Sequence, residues 1–421
     1  MSGPAHVPAP PGGWRVPLVR PDVPAFAEVT AEIETAVAGG MLTKGPALAR
    51  LETEAARFLG VRHVVGVGSC TLGLALVLDS LAAVRDRAAA AACPAAATCP
   101  LPAAARRPGP AGAADVIVPS FIFLAAPAAI VWAKLRPVFV EIDPDTFTVD
   151  PAAVAAAVTP RTAAILGCHT FGCPCDVAAL ERISAETGVP LVIDAAHGLG
   201  TTVAGRPVGG GGLAQVFSLS PTKLVVAGEG GLVATDCDCL ADAVRTAREY
   251  GNDGAYGCSA PGLNARLPEI SAILARASLA RLDDVAGRRR AAAAAYREAL
   301  ADVPGLSFQR IPAGAASSWK DFVVGVDPVR FGCDRDTLRA RLGERGIETR
   351  AYYSPAAHDM EAFRGFLRTG QRLPVTDRVA ATLVALPMGV HVTPDVARAV
   401  AAEIRAAAVA RVASGAHEPD A

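Results

Sequence analysis

The stretch PLVIDAAHGLGTTVAGRPVGGGGLAQVFSLSPTK, residues 190–223, decides the fold. Two short apolar runs lie in it, PLVIDAA (190–196) and QVFSLS (215–220). Neither alternates with polar residues, so both read as strands covered on both faces, as in a parallel sheet sandwiched between helices. Outward from this stretch the same kind of run recurs as VVGVG (64–68), DVIVP (115–119), PVFVEID (137–143), TAAILGCH (162–169) and GLVATD (231–236), with segments of helical period between them. This rhythm predicts an α/β fold built on one large, mostly parallel sheet. From Pro268 to Leu300 the apolar positions keep helical spacing, which predicts one long helix leaving the sheet. Beyond it, FVVGVD (322–327), a strand-like ETRAYY (348–353) and a last helix in VTPDVARAVAAEIRAAAVARV (392–412) suffice for a smaller C-terminal α/β domain.

The ends and one internal segment stand apart. Residues 1–22, rich in Pro and Gly, read as an arm that carries no core, and residues 414–421 as a frayed tail. Residues 83–113 are a low-complexity stretch of Ala and Pro and read as a surface insertion. The expected division is therefore 23–287 for the large domain and 288–413 for the small one.

Composition narrows the class of partner. With 421 residues, 52% of them hydrophobic, the chain can bury a large core. Its 40 basic and 41 acidic residues nearly cancel and form no long basic block, which argues against nucleic acid and for small molecules. No apolar run is long enough to cross a bilayer, and the start MSGPAHVPAPPGG lacks the form of a secretory signal, so a cytoplasmic protein is expected. Ten cysteines are scattered; the close pairs Cys173/Cys175 and Cys237/Cys239 lack zinc-finger spacing and read as core or loop thiols, so no metal is expected.

Two polar residues interrupt the apolar pattern of the opening stretch. Asp194 ends a strand that has no other charge, so its carboxylate is costly to bury without a cation. Lys223 follows QVFSLSPT at the carboxyl end of a strand, where open α/β sheets bind ligands. Singly, each has an ordinary explanation, a helix cap for the Asp and a solvated charge for the Lys. Together they suit pyridoxal 5′-phosphate (PLP), which needs an amine for a Schiff base, an acid beside its pyridine nitrogen and donors for its phosphate. Ser69, Cys70 and Thr71, between VVGVG and an apolar helix, could supply those donors at a helix N-terminus, though a plain capping motif fits them too. Ser218 could reach the same phosphate.

Four motifs, GSCT (68–71), DAAHGLG (194–200), FSLSPTKLVVAGEGG (217–231) and GLNARLPE (262–269), stand in an order and spacing that resemble the DegT/DnrJ/EryC1/StrS sugar aminotransferases. The likeness continues through YYSPAAH (352–358), LPVTD (373–377) and ALPMGV (385–390). It implies PLP fold type I, aspartate aminotransferase-like, in a homodimer whose subunits share the active site. By matching position, Lys223 carries the cofactor and moves the proton, and Asp194 pairs with the pyridine nitrogen. Phe123 in PSFIFLAA stacks on the ring, and His197 lies near the ring oxygen. Ser69, Cys70, Thr71 and Ser218 hold the phosphate together with Asn264 of the other subunit. Cys70 stands where the family usually has Gly, which puts the geometry of that turn in doubt. Glu229 and Arg266 are expected to tie loops together by ion pairing, and Tyr352, Tyr353 and His358 to lie near the site.

The activity implied is transfer of an amino group, with glutamate the expected donor, to a nucleotide-linked keto sugar of the dTDP-keto-6-deoxyhexose kind, in amino-sugar or antibiotic biosynthesis. A keto-cyclitol acceptor and a non-catalytic regulatory paralogue are the alternatives. A sugar 3-dehydratase is disfavoured, because relatives of that type carry His where Lys223 stands.

Overall fold

The computed structural model describes residues 7–9, 13–89, 114–252 and 254–414, without side-chain placement for 85–89 and 409–414. The seven runs expected to build the large sheet do so: β1 (His63–Val67), β2 (Asp115–Pro119), β3 (Arg136–Val140), β4 (Thr162–Cys168), β5 (Leu191–Asp194), β6 (Ala214–Ser218) and β7 (Gly231–Thr235). Their spatial order is β1-β7-β6-β5-β4-β2-β3. The ladders from β6 to β3 are parallel, and β7 runs antiparallel to both β6 and β1. Parallel neighbours need crossovers, and the helices Ala125–Trp132 and Val177–Thr187 supply two of them. Both faces of the sheet are dry: Leu74 and Val216 are fully buried on one side, Leu51 and Ile117 on the other. Each such side chain contributes about 1.5–3 kcal/mol by leaving water.

A three-stranded antiparallel sheet, Leu306–Phe308, Phe322–Val326 and Leu383–Leu386, forms the small lobe with the helices Leu282–Leu300 and Pro394–Ser414. The single long helix expected over 268–300 is two, Glu269–Leu279 and Leu282–Leu300. No Pro or Gly causes the break. Arg281, between them, turns its guanidinium to Asp22 at 3.1 Å. Leu282 and Val285 pack beneath the large sheet whereas Ala292, Tyr296 and Leu300 pack in the small lobe, so this helix crosses from one core to the other.

Two further expectations need correction. ETRAYY is not a strand: Arg350 makes one isolated bridge to Ala385, and the chain then turns at Tyr352 so that Tyr353 packs against Phe121 and Phe171. The arm does carry core. Val16 bridges to Ile347, Leu18 is 4% exposed and its N–H donates to Glu348 Oε2 at 2.9 Å, so this segment is stitched onto the small lobe. In the low-complexity stretch, residues 83–89 extend the helix Cys70–Ala89, while 90–113, like the tail 415–421, lie outside the described residues.

Candidate active site

A cavity of about 290 Å³ opens beyond the carboxyl ends of β1, β2, β4, β5 and β6. Ser69, Cys70, Thr71, Phe123, Asp194, His197, Ser218 and Lys223 all line it, so the structure brings together every expected site residue except Asn264. That convergence follows from the parallel sheet, which sends the polar residues after each strand to the same end.

Asp194 closes β5 opposite Cys168 of β4 and Val216 of β6 and is 4% exposed. Its Oδ1 accepts the Ala196 N–H at 2.9 Å. Burial raises its pKa, while the Ala196 hydrogen bond and the charge of Lys223 pull the other way. A buried carboxylate with so little to stabilise its charge calls for a cation in the cavity. Lys223 sits on the loop between β6 and β7, where its N–H donates to Ser220 O at 3.0 Å. Burial first, and then the positive charge of Lys320, brings the amine down to about 8.

At the start of the helix Cys70–Ala89, Ser69 Oγ accepts the Leu72 N–H at 3.1 Å, so the ordinary capping role is filled as well. Cys70 does not distort the turn. It is the first helical residue, is absent from the described positions with positive φ, and points its Sγ at Val216 O (3.5 Å) and Asp194 Oδ1 (4.0 Å). The residue that needs to be small is Gly231 on the facing strand β7. A Cβ there would lie 2.6 Å from the Cys70 backbone nitrogen, closer than a Cβ comes to another heavy atom.

His197 Nδ1 accepts the Phe171 N–H at 3.1 Å. The neutral ring therefore carries its proton on Nε2, and burial together with the cations Lys223 and Lys320 holds its pKa well below the usual range. Phe123 is half exposed, with its ring 6.3 Å from that of Tyr353. Tyr353 and Cys168 complete the wall. His358 lies behind it: Nδ1 is 2.6 Å from Ser120 Oγ, at the end of β2, and Nε2 is 3.1 Å from Asp377, which fastens the Tyr353 segment to the sheet.

Asn264 is exposed and does not face this chain's cavity; its backbone bridges to Glu249. The ion pairing expected of Glu229 and Arg266 is not found among the described residues. Glu229 lines the cavity instead, and Arg266 lies over the Tyr250 ring at 5.5 Å because its segment runs along β1. Sequence reading missed Lys320 and Asp321, which are paired at 2.7 Å and both buried. The signal was there: two charges entering the apolar run FVVGV pose the same burial problem as Asp194.

The donor set fits PLP, since an amine, a carboxylate that lacks a strong partner and a helix N-terminus with hydroxyls share one cavity. Fold and cavity together are those of a PLP-dependent enzyme of fold type I. The family model described as the DegT/DnrJ/EryC1/StrS aminotransferase family matches residues 25–405, and the chain belongs to that family. It is 33% identical over 389 residues to the erythromycin biosynthesis sensory transduction protein EryC1 of Saccharopolyspora erythraea, covering 91% of this chain and 97% of that one. Among solved structures it is similar to DesI, determined in the presence of its TDP-sugar product, at 36% identity, TM-score 0.82 and 95% coverage of each chain. It is also similar to DesV of S. venezuelae at 32% identity and TM-score 0.78, covering 92% of this chain and 99% of that one. As a member of this family it is a sugar aminotransferase, and it acts on small molecules.

Proposed function

We propose that the enzyme moves an amino group from glutamate to a nucleotide-linked keto sugar of the dTDP-keto-6-deoxyhexose type, in the biosynthesis of an amino sugar or an antibiotic. The observation that carries this reading is the meeting of Lys223, Asp194 and the helix N-terminus at one cavity. The TDP-sugar product named for DesI and the erythromycin pathway named for EryC1 support the choice of acceptor.

When bound, PLP supplies an aldehyde for the incoming amine and a ring that accepts electrons. Lys223 would hold it through Nζ, and the same amine would accept the proton from the donor's α-carbon. Burial and the charge of Lys320 bring the amine to about 8, so it gives up its proton more readily than an ordinary lysine. Asp194 would keep a proton on the pyridine nitrogen, supplying the cation that its buried carboxylate lacks. His197 offers its Nε2–H as a donor to the ring oxygen. Phe123 covers one face of the ring. Ser69, Cys70, Thr71 and Ser218 hold the phosphate at the helix N-terminus, where the dipole favours a dianion.

Asn264 completes the phosphate site from a second subunit in a homodimer. Two features support this: Asn264 is exposed, and so is a set of large apolar residues, Phe26, Met41, Leu42, Tyr250, Leu263 and Ile270. A cytoplasmic location fits the free thiols at Cys70, Cys168, Cys173, Cys175, Cys258 and Cys333. Among the described residues no helix is long and apolar enough to cross a membrane.

A keto-cyclitol acceptor is the nearest rival. A regulatory paralogue is a second one, favoured by the words "sensory transduction" in the name of EryC1 and disfavoured by the presence of both Lys223 and Asp194. Incubation with glutamate and a panel of keto acceptors separates the three. Formation of 2-oxoglutarate with an aminated sugar nucleotide supports the reading, amination of cyclitols alone replaces it, and cofactor binding without turnover of any acceptor favours the regulatory paralogue.

A further inference from the structure

We propose that Lys320 and Asp321, an ion pair buried beside the cavity, are positioning residues that set the protonation of the Lys223 amine. The inference rests on Lys223 being the residue that carries the cofactor. Lys320 Nζ and Asp321 Oδ1 are 2.7 Å apart, and the two residues are only 5% and 6% exposed. Neither lines the cavity, so neither touches substrate there.

Their segment is clamped from three sides. Arg289, itself buried, donates from Nη1 to the carbonyls of Trp319 (3.2 Å) and Lys320 (3.0 Å). Ser318 donates from its N–H to Thr201 Oγ1 at 3.1 Å and from its Oγ to His197 O at 2.8 Å, which ties the pair to the loop leaving Asp194. On the third side Gly172 leaves no slack, since a Cβ there would stand 2.3 Å from Ser318 Oγ. An apolar pair would pack in such a place at lower cost than two charges. What the charges add is a fixed field at a site shielded from water.

That field acts on Lys223 with opposite signs. Burial and Lys320 disfavour the protonated amine, while Asp321, Cys70 and Asp194 favour it. The other titratable groups around the cavity are His197 on the loop after β5, Cys168 at the end of β4, Tyr353 on the wall and Glu229 at the rim, with Arg289 behind the pair. His197 is held neutral by burial and by Lys223, Lys320 and Arg289. Removing one member of the pair therefore leaves the charge of the other uncompensated in its effect on Lys223. A packing role would make both removals harmful in the same way; an electrostatic role makes them opposite.

The test is a pH titration of the holoenzyme's bound-cofactor absorbance, which reports protonation of the Schiff base without turnover. Lys320→Met should move the midpoint up by about one pH unit or more, and Asp321→Asn should move it down. Lys320→Arg keeps the charge and should titrate close to wild type. Midpoints that stay put, or that move in the same direction in Lys320→Met and Asp321→Asn, overturn the proposal. Should Lys320→Met not fold, Asp321→Asn decides alone: a downward shift supports the proposal and an unchanged midpoint refutes it. Borohydride treatment of wild type and Lys223→Ala is run alongside. If both fix cofactor equally, the assignment of Lys223 fails, a result distinct from unmoved midpoints in an enzyme that does hold its cofactor through Lys223.

Discussion

Lys223 is expensive to the fold when the cofactor is absent. Its amine, ordinarily near 10.5, falls to about 8 in the folded protein, with burial the largest cause and Lys320 next. Below about pH 8 the native protein must hold a cation where the environment opposes one, while the unfolded chain keeps its proton up to about 10.5. Stability of the cofactor-free protein therefore rises with pH between those two values. Lys223→Met should be more stable than wild type at pH 7 by on the order of 1–3 kcal/mol, and the gap should close towards pH 10.5. Urea denaturation of the stripped proteins at pH 7 and pH 10 measures this, and a gap that widens with pH contradicts it. The same reasoning shows what was legible residue by residue. Asp194 and Lys223 stand out as charges at the ends of apolar runs. Lys320 and Asp321 obey the same rule but adjoin no recognisable motif, and only the folded chain ties their segment to His197 at the cavity.

Among the elements, strands buried on both faces are legible in the sequence, and the long-range contacts that end or brace elements are not. All seven runs form the large sheet because strands buried on both faces leave a continuous apolar trace. The break at Arg281 left no such trace, since its partner Asp22 lies in the arm and the local sequence is helical throughout. Long-range capping was equally hidden. Glu269, 1% exposed, accepts the N–H groups of Gly45, Ala47 and Leu48 at 2.8–3.0 Å and so caps the helix Pro46–Leu59 from the other end of the large domain's sequence. Glu269→Ala strands three donors and removes a negative charge from a helix N-terminus; a loss of about 2–4 kcal/mol is expected in urea melts, with Glu269→Gln intermediate. Gly231→Ala tests the contact between β7 and the phosphate turn. Its Cβ meets backbone rather than a movable side chain, so a loss of about 1–3 kcal/mol and weaker cofactor retention on dialysis are expected.

For the molecule as a whole, the two-lobed architecture follows from the sequence pattern, whereas the proposal that two subunits share the site comes from the family resemblance. Subunit mixing tests that sharing. Lys223→Ala and Asn264→Ala should each be impaired alone, but after unfolding and refolding together they should recover about a quarter of the wild-type sites, because half the dimers are mixed and one site in each is intact. No recovery would mean that Asn264 serves its own chain or none. The antiparallel strand β7 has a consequence for biogenesis. Among the described residues the edge strand β1, which leads into the turn at Ser69, forms a ladder only with β7 beside one isolated bridge to Arg266, and β7 follows the parallel strands β2 to β6 in the chain. A polypeptide emerging from the ribosome thus makes the first part of its cofactor cradle early and the strand that braces it late, so nascent chains halted before Gly231 should not retain the coenzyme.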